Sequence, residues 1–164
     1  MPLLDADFTV RQMTQDDFNQ VKQVIDLSFP IFYRFFAAHS LQEEGQVLVS
    51  ERAGRVAGFA KLIDFDIGGK NYGCILWIAV YPSFRRKGIA ASLTNSATQR
   101  LKHEGTAAVF ASTQRRNVAA LSVLRLQGFR RMSFFGLWQV FGWRVFKFYW
   151  DIWFAPGEIV LMHD

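Results

Sequence analysis

One stretch, Ile75 to Leu93, constrains the fold of this chain more than any other, because an apolar run there gives way to cations and then to a helix pattern. The apolar run ends before Pro82, and the cations lead through Gly88 into the helix. A buried strand that turns through basic residues into a helix N-terminus suits phosphate, since the first-turn N–H groups have no intrahelical partner and lie at the positive end of the helix dipole. The stretch therefore predicts a site for the pyrophosphate of a nucleotide-like cofactor.

Charge is distributed unevenly along the sequence. Residues 85–131 contain ten Lys or Arg and one acid, Glu104, and carry +9, whereas the whole chain carries +5. The remainder therefore carries −4, the difference between those two values. A basic segment of this size fits a ligand with several phosphates, nucleic acid, or simply a solvated surface. Because no nucleic-acid recognition motif is present, nucleic acid is the least favoured of the three.

Length and composition indicate a globular protein. We expect residues 1–164 to form a single domain with one hydrophobic core, and the 51% of hydrophobic residues argues against disorder. The single cysteine, Cys74, excludes an intrachain disulfide and favours a reducing compartment. Residues 1–8 have neither the basic nor the apolar region of a signal peptide. These features predict a cytoplasmic location.

The order of strand and helix patterns predicts an α/β fold with a mixed central sheet flanked by helices. The predicted strands are 8–12, 46–52, 56–67, 73–80, 107–111 and 158–162, with turns at 53–55 and 68–71. The predicted helices are 15–28 after Thr14, 31–39, 88–102, a helix that Asn117 caps and that ends before Gly128, and one helix within 138–153. The face formed by Ile89, Leu93, Ala97 and Leu101 is predicted to be buried.

Four features, taken in their order, resemble the motifs of the GCN5-related N-acetyltransferase (GNAT) superfamily. They are Val10 to Asp17, like the usual opening of the family; Ile78 to Pro82, like its fourth strand; Arg85 to Ala90, which matches Q/R-x-x-G-x-G/A; and Asn117-x-x-Ala120 followed by Gly128-Phe129, like its second cofactor motif. The resemblance covers residues 8–135 and implies a GNAT-like fold, with an aromatic-rich C-terminal extension over residues 136–164.

The resemblance also implies a co-substrate, acetyl-CoA or another acyl-CoA, and transfer of its acyl group to a primary amine by direct attack in a ternary complex. The acceptor would be a small molecule or a protein amine. By position, the cofactor contacts fall on Ile78, Ala79, Val80, Arg85, Arg86, Lys87, Gly88, Ile89, Ala90 and Asn117. Amides from Arg86 to Ala90 would hold the pyrophosphate, Ile78 to Val80 would pair with the pantetheine and polarise the thioester carbonyl, and Asn117 would bond the pantetheine arm. No metal ligand is assigned.

Several of these residues also have purely structural interpretations, which the sequence leaves open. Gly88 would serve a tight turn equally well, and Asn117 would serve as a helix N-cap. Arg115 and Arg116 would reach a 3′-phosphate or remain solvated. Trp77 is more readily placed in the sheet core than in the wall of an acceptor pocket.

The residues for acid and base catalysis cannot be assigned from the sequence. Many relatives have a Tyr seven residues after the Asn, where it protonates the departing thiolate, but the sequence has Leu124 there. A non-catalytic acyl-CoA-binding or regulatory module is therefore the alternative function. The candidate bases, each with a plain surface or turn role as its alternative, are Asp64, Asp66, His39, Glu43 and Glu44. Cys74 is a poor candidate for a nucleophile, because no His lies near it in sequence.

Aromatic residues concentrate in two segments. Residues 134–154 contain eleven, which we interpret as core plus a homodimer interface, with peripheral membrane contact as the less favoured alternative. Gln139, Arg144, Lys147 and Asp151 interrupt that segment, so it does not predict a membrane-spanning helix. The second group is Phe29, Phe32, Tyr33, Phe35 and Phe36. These residues either pack the first helices on the sheet or, as the resemblance implies, border an acceptor site for an apolar amine.

Overall fold

The computed structural model describes residues 8–164, so residues 1–7, on which most of the signal-peptide prediction rests, lie outside the described part. Seven strands form one mixed sheet in the order β1-β2-β3-β4-β5-β7-β6. The strands are β1 (Thr9–Gln12), β2 (Gln46–Arg52), β3 (Arg55–Ile67), β4 (Lys70–Val80), β5 (Val109–Gln114), β6 (Arg130–Met132) and β7 (Glu158–His163). The helices are α1 (Phe18–Ser28), α2 (Ile31–Ser40), α3 (Ile89–His103), α4 (Val118–Leu126), α5 (Phe134–Phe141) and α6 (Val145–Asp151). This arrangement confirms the predicted α/β fold with a mixed sheet.

Strand pairing is parallel where β4 meets β5 and antiparallel where β1 meets β2, β2 meets β3, and β7 meets β5 and β6. β1 pairs with β2, and β2 with β3, in antiparallel register. β4 runs parallel to β5 over Gly73–Ile75 and Val109–Ala111. β7 lies between β5 and β6 and is antiparallel to both, although it follows both of them in sequence.

The chain divides into two compact units, each with a core of its own. The first comprises the chain through Leu62 together with Trp77–Ala97, and the second comprises Ile63–Leu76 together with Thr98–Asp164. In the first unit α1 buries Val21, Val24 and Ile25 in a cluster with the strand residues Val47, Val49 and Phe59. In the second, α5 and α6 bury Leu137, Phe141, Val145 and Phe148 with Tyr72 and Phe110. The single-domain assignment for residues 1–164 stays a prediction.

The predicted apolar face of α3 is confirmed, since Ile89, Leu93, Ala97 and Leu101 are all buried. Several predicted boundaries differ from the structure. Residues 15–17 form a 3-10 turn rather than the start of the first helix, since the Asp17 amide donates to the Thr14 carbonyl, three residues earlier, at 3.1 Å. The turn predicted at 68–71 consists of the two glycines alone, and β4 begins at Lys70. β5 extends to Gln114, beyond the predicted Ala111, because β7 pairs with all of it.

The single helix predicted within 138–153 is two helices. Gly142 has φ +56°, which a right-handed helix cannot contain, and it separates α5 from α6 through a 3-10 turn, Gly142–Arg144. α5 also starts earlier than predicted, at Phe134, where the Ser133 hydroxyl accepts a hydrogen bond from the Gly136 amide at 3.0 Å. Within residues 8–164, no helix is both long enough and apolar enough to cross a bilayer.

Candidate functional site

The end of β4 is fixed closely against β3 in the first unit. The Tyr81 amide donates to the Ala57 carbonyl at 2.7 Å, and a Cβ added at Gly58 would lie 2.7 Å from the Ala79 carbonyl oxygen. Real Cβ atoms do not approach backbone this closely, so only glycine allows this distance between the strands. The predicted residues Ile78, Ala79 and Val80 therefore lie on a backbone whose position is set by its neighbour.

The Arg85 side chain links the start of the basic loop, residues 85–88, to the end of β4 through hydrogen bonds. Its Nε donates to the Val80 carbonyl at 3.1 Å, and its Nη2 donates to the Ser28 hydroxyl at 3.4 Å. The Ser28 hydroxyl also lies 3.4 Å from the Val80 carbonyl and donates to it. The Arg85 side chain thus shapes the loop, while the next two cations, Arg86 and Lys87, are exposed. Ser28 was not singled out from the sequence, where no motif contains it.

The loop after Arg85 has the backbone of an anion-binding concavity. Arg86 has φ +63° and Gly88 has φ +78°, so the chain turns twice through the left-handed region before α3 begins at Ile89. Successive N–H groups in such a conformation converge on one point and attract anions. The Ser92 amide is bonded to the Gly88 carbonyl at 3.0 Å, which leaves the amides of the preceding turn directed out of the helix end.

The space beside this loop is open. A Cβ added at Gly88 would meet no atom within 4 Å, so the glycine is required for its conformation and not for lack of room. Ile89 is buried and anchors the helix, whereas the loop residues around Gly88 are exposed and Ala90 is half-buried. Because Ala90 is small, a ligand can approach the backbone of the first helical turn. The nine predicted residues from Ile78 to Ala90 therefore come together at one helix end and one strand end.

Asn117 lies in the second unit, at the start of α4. Its side-chain oxygen accepts a hydrogen bond from the Ala120 amide at 3.1 Å, which makes it an N-cap. This contact uses Oδ1. The side-chain nitrogen, Nδ2, is then the atom that would donate to a ligand. The neighbouring Arg115 and Arg116 are exposed, and the Arg115 amide donates to the Gly157 carbonyl at 3.1 Å.

The position of the usual catalytic tyrosine is apolar in structure as well as in sequence. Leu124 is buried on α4 next to Leu121, with 6% of its surface exposed. It offers no proton, and its surroundings are part of a hydrophobic interior. A departing thiolate would find no acid at this position.

The candidate bases lie in surface and turn contacts. The Asp64 carboxylate accepts from the Asn71 amide at 3.1 Å, and that of Asp66 accepts from the Gly69 amide at 3.2 Å. His39 lies 3.0 Å from Glu43, four residues further on, and both are about half exposed. Glu44 is exposed. These contacts give each of the paired residues a structural role, and the general base stays unassigned.

Lys61 is a buried lysine that sequence reasoning did not single out. It lies on β3 beside Phe59, and its ammonium donates to the Glu43 carbonyl at 3.0 Å, just after α2. Burial lowers the pKa of this lysine, and the nearby Glu43 partly offsets the effect. The only signal in the sequence was one cation, Lys61, between the apolar residues Ala60 and Leu62. The bond holds the segment after α2 to the sheet.

The aromatic residues around α2 divide into two kinds. Phe29 and Tyr33 lie edge-on to Trp77, with ring centroids 5.4 and 5.9 Å from that of Trp77. Phe29 and Trp77 pack against the core of the first unit. Phe32 and Phe35 are exposed, at 65% and 69%. The Trp77 indole nitrogen is buried and has no hydrogen-bond partner among the described residues. The packing interpretation thus applies to Phe29 and Tyr33, whereas Phe32, Phe35 and Phe36 are exposed aromatic residues.

Within residues 8–164, no cluster of His, Cys, Asp and Glu is arranged to hold a metal ion.

The comparison with curated proteins finds no match. Among solved structures, an acetyltransferase of the GNAT family from Desulfovibrio desulfuricans is similar at 16% identity and TM-score 0.74, over 96% of this chain and 98% of that one. The ribosomal-protein-S18-alanine N-acetyltransferase of Escherichia coli is similar at 18% identity and TM-score 0.66, over 94% and 92%.

A third similar structure is the PaiA N-acetyltransferase of Thermoplasma acidophilum in complex with coenzyme A, at 13% identity and TM-score 0.66, over 96% and 98% of the two chains. At these identities the likeness concerns the fold. The family model for acetyltransferases of the GNAT family matches residues 9–129, about three quarters of the sequence. This match includes the strand, loop and capped helix described above, and the chain belongs to the GNAT acetyltransferase family.

Proposed function

We propose that this protein is an acyl-CoA-dependent N-acyltransferase that transfers acetyl from acetyl-CoA to a primary amine. The observation that carries the proposal is the loop with Arg86 and Gly88 at positive φ, which leads into the N-terminus of α3 beside exposed cations. Such a backbone binds a pyrophosphate with its N–H groups, and cations beside it neutralise the charge. Family membership and the coenzyme A bound by a similar structure support the choice of ligand.

The residues of the loop would contribute to pyrophosphate binding in different ways. Backbone amides from Arg86 to Ala90 hold the pyrophosphate, and the charges of Arg86 and Lys87 add a contribution that salt screens. Arg85 acts on the backbone instead, because its guanidinium is bonded to the Val80 carbonyl. The amide nitrogen of Asn117 would donate to the pantetheine arm, since its oxygen is occupied by the helix cap.

The reaction is the attack of a neutral amine on the thioester carbonyl. A bond forms between the amine nitrogen and the carbonyl carbon, the carbon–sulfur bond breaks, and coenzyme A leaves as a thiolate. The surplus proton of the amine passes to a base or to water, and the thiolate later takes up a proton. The strand from Ile78 to Val80 would polarise the carbonyl with its amides, which stabilises the charge that develops on the oxygen.

Absence of a tyrosine at position 124 slows this reaction without preventing it. A thiol with a pKa of about 8.5 leaves tolerably as thiolate. General acid catalysis typically contributes about 10²- to 10⁴-fold, so the acyl transfer would be slower by a factor of that order unless another acid supplies the proton.

The acceptor is an amine that carries an apolar group, on this proposal. Phe32 and Phe35 are exposed on α2, and Phe29, Tyr33 and Trp77 form an aromatic cluster beneath it. One of the similar structures is the ribosomal-protein-S18-alanine N-acetyltransferase of Escherichia coli. Peptide N-termini are therefore tested alongside small apolar amines.

The test measures release of coenzyme A thiol from acetyl-CoA with a panel of apolar amines, polar amines and peptide N-termini. We expect turnover that rises with pH, because only the neutral form of an amine of pKa about 10.4 attacks. Calorimetry of coenzyme A binding is run in parallel. Binding without turnover for any amine would contradict the transferase and leave the non-catalytic acyl-CoA-binding module, which the buried Leu124 favours.

A further inference from the structure

Helix α6 carries apolar side chains on two opposite faces. Val145, Phe148 and Ile152 are buried in the core of the second unit. Phe146 and Trp150, four residues apart, lie on the other face at 100° per residue and are exposed. A surface helix normally has one apolar face, which it buries, and polar residues elsewhere. The charged residues of α6, Lys147 and Asp151, lie to one side of the two apolar faces. Phe146 and Trp150, on the outer face of α6, are therefore apolar side chains that nothing within residues 8–164 buries.

Further exposed aromatic side chains lie on the preceding turn, at Trp143, and on α5, at Phe134. Trp143, in the turn, packs edge-on against Trp138, with ring centroids 4.7 Å apart. Trp138 in turn contacts Phe134 at 6.0 Å. We call the set Phe134, Trp138, Trp143, Phe146 and Trp150 the aromatic face. Its most exposed members, Trp150 and Trp143, have 83% and 77% of their surface exposed.

The area of the aromatic face matches what a dimer requires. At about 150–250 Å² for each aromatic side chain and the observed exposures, the face presents roughly 400–700 Å² of apolar surface. A standard interface buries about 800 Å² on each partner, and about 65% of a homodimer interface is apolar, which is about 500 Å². This range overlaps that of the largest apolar patch of a typical monomer, about 300–600 Å², and extends above it.

The charges around the aromatic face favour a protein partner over a bilayer. An interfacial helix on an anionic membrane carries several Lys and Arg beside its apolar face. The segment from Phe134 to Phe154 carries two, Arg144 and Lys147. Lys147 already donates to the Asp66 carbonyl at 3.1 Å and pairs with the Asp151 carboxylate. Homodimer interfaces, in contrast, are rich in Trp and Phe and poor in charge at their core.

We propose that the aromatic face is the interface with a second copy of this chain, related to the first by a two-fold rotation. In such an interface the same patch meets itself, so each residue of the face is buried twice in the dimer. Trp143 and Trp150 are its expected energetic centre, because exposed tryptophans that become fully desolvated contribute most to such interfaces. The proposal is independent of the catalytic activity.

The first experiment is sedimentation equilibrium of the full chain and of the double variant Trp143→Ser, Trp150→Ser. The matched control is Leu126→Ser on α4, which removes an equally exposed apolar side chain, at 84%, from outside the aromatic face. We expect the wild type and the control to be dimers. The dimer Kd of the double variant should rise by at least about a thousandfold, since each tryptophan is worth about thirtyfold or more and both are lost from each copy. Circular dichroism checks that the variants are folded.

The second experiment uses cysteine cross-linking with a short bismaleimide. Cys74 is the only cysteine of the sequence, it is buried, and burial raises the pKa of its thiol, so it stays unreactive. A cysteine introduced by Phe146→Cys should cross-link to its own copy in the partner. The control, Leu126→Cys, should not.

Three results would overturn the proposal. A wild-type chain that stays monomeric at every concentration has no such interface. A dimer that the double variant does not weaken, and that Phe146→Cys does not cross-link, uses another surface. A monomer that floats with vesicles of phosphatidylcholine and phosphatidylglycerol, and loses that binding in the double variant, uses the aromatic face for lipid.

Discussion

The guanidinium of Arg85 donates a hydrogen bond to the carbonyl oxygen of Val80 at 3.1 Å, and so closes the loop between β4 and α3 at its first residue. The Ser28 hydroxyl reaches the same carbonyl from α1 at 3.4 Å. Arg85, Arg86 and Lys87 are all exposed, but the Arg85 guanidinium is bonded to the backbone of β4, so the three consecutive cations have unequal roles.

Substitution of Arg85 and Arg86 should weaken coenzyme A binding in different ways. Arg85→Ala removes a backbone contact, so we expect a Kd about fivefold higher with the same salt dependence as the wild type. Arg86→Ala removes a screened charge and should flatten the salt dependence. Calorimetry at several salt concentrations distinguishes the two. Identical salt slopes for both variants would contradict this division.

Gly88→Ala should cost stability and affinity together, whereas Gly54→Ala should cost stability alone. The two glycines have φ +78° and +76°, and neither has an atom within 4 Å of an added Cβ, so both substitutions introduce the same left-handed strain of about 1–2 kcal/mol. Only Gly88 lies in the proposed phosphate loop. Urea unfolding and coenzyme A calorimetry of both variants check the prediction, which fails if the two lose affinity equally.

Asn117→Asp should keep the α4 cap and lose the contact to the ligand. The Asp carboxylate accepts the Ala120 amide as the Asn oxygen does, but it has no N–H to donate. We expect the free energy of unfolding to change little and the Kd for coenzyme A to rise about tenfold. Asn117→Ala should lose the cap as well, at a cost of about 1 kcal/mol in stability. Unchanged binding in Asn117→Asp would make the residue a cap and nothing more.

Leu124→Tyr should raise kcat by at least about tenfold if the protein is a transferase without its usual acid. Leu124→Phe is the control, because it introduces a ring of similar size without the hydroxyl and reports the cost of crowding a buried site. Steady-state kinetics with the best amine of the panel compare the two. Equal rates for Tyr and Phe would show that the proton comes from elsewhere or is not needed.

Acid should destabilise the protein through Asp17. The hydrogen bond from Arg11 lowers the pKa of this carboxyl to about 2 in spite of its burial, and the Thr14 amide adds to the effect. A folded-state pKa below the ordinary value stabilises the fold above pH 4, and this contribution, about 2 kcal/mol, is lost as pH falls from about 4 to 2. Urea unfolding against pH should show the loss in the wild type and not in Asp17→Asn. If the free energy of unfolding fell equally with pH in the wild type and in Asp17→Asn, the prediction would be wrong.

Local signals in the sequence were sufficient to predict the basic loop before α3 and the capped helix α4. The apolar run, the cations and Gly88 are contiguous in sequence, and the backbone conformation follows from the residues themselves. Asn117 was likewise readable as a cap, because capping depends on residues within one turn. The predicted cofactor roles of these residues stay predictions, since they require the ligand.

Features that depend on contacts between residues far apart in sequence could not be predicted from the sequence. Lys61 donates to the Glu43 carbonyl, and Ser28 donates to the Val80 carbonyl, across sequence separations that no periodicity predicts. The break at Gly142 was missed because the apolar pattern continues through it on both sides. The extent of β5 depends on β7, which pairs with it from far along the chain.

The position of β7 between β5 and β6 has a consequence for biosynthesis. Both neighbours leave the ribosome before β7 does, and they cannot complete their pairing until it arrives. During that interval the edges of β5 and β6 that later bind β7 are open, next to a segment dense in Phe and Trp. A nascent chain in this state is vulnerable to strand addition from other chains, and the rate at which β7 inserts would then decide how much protein reaches its native form.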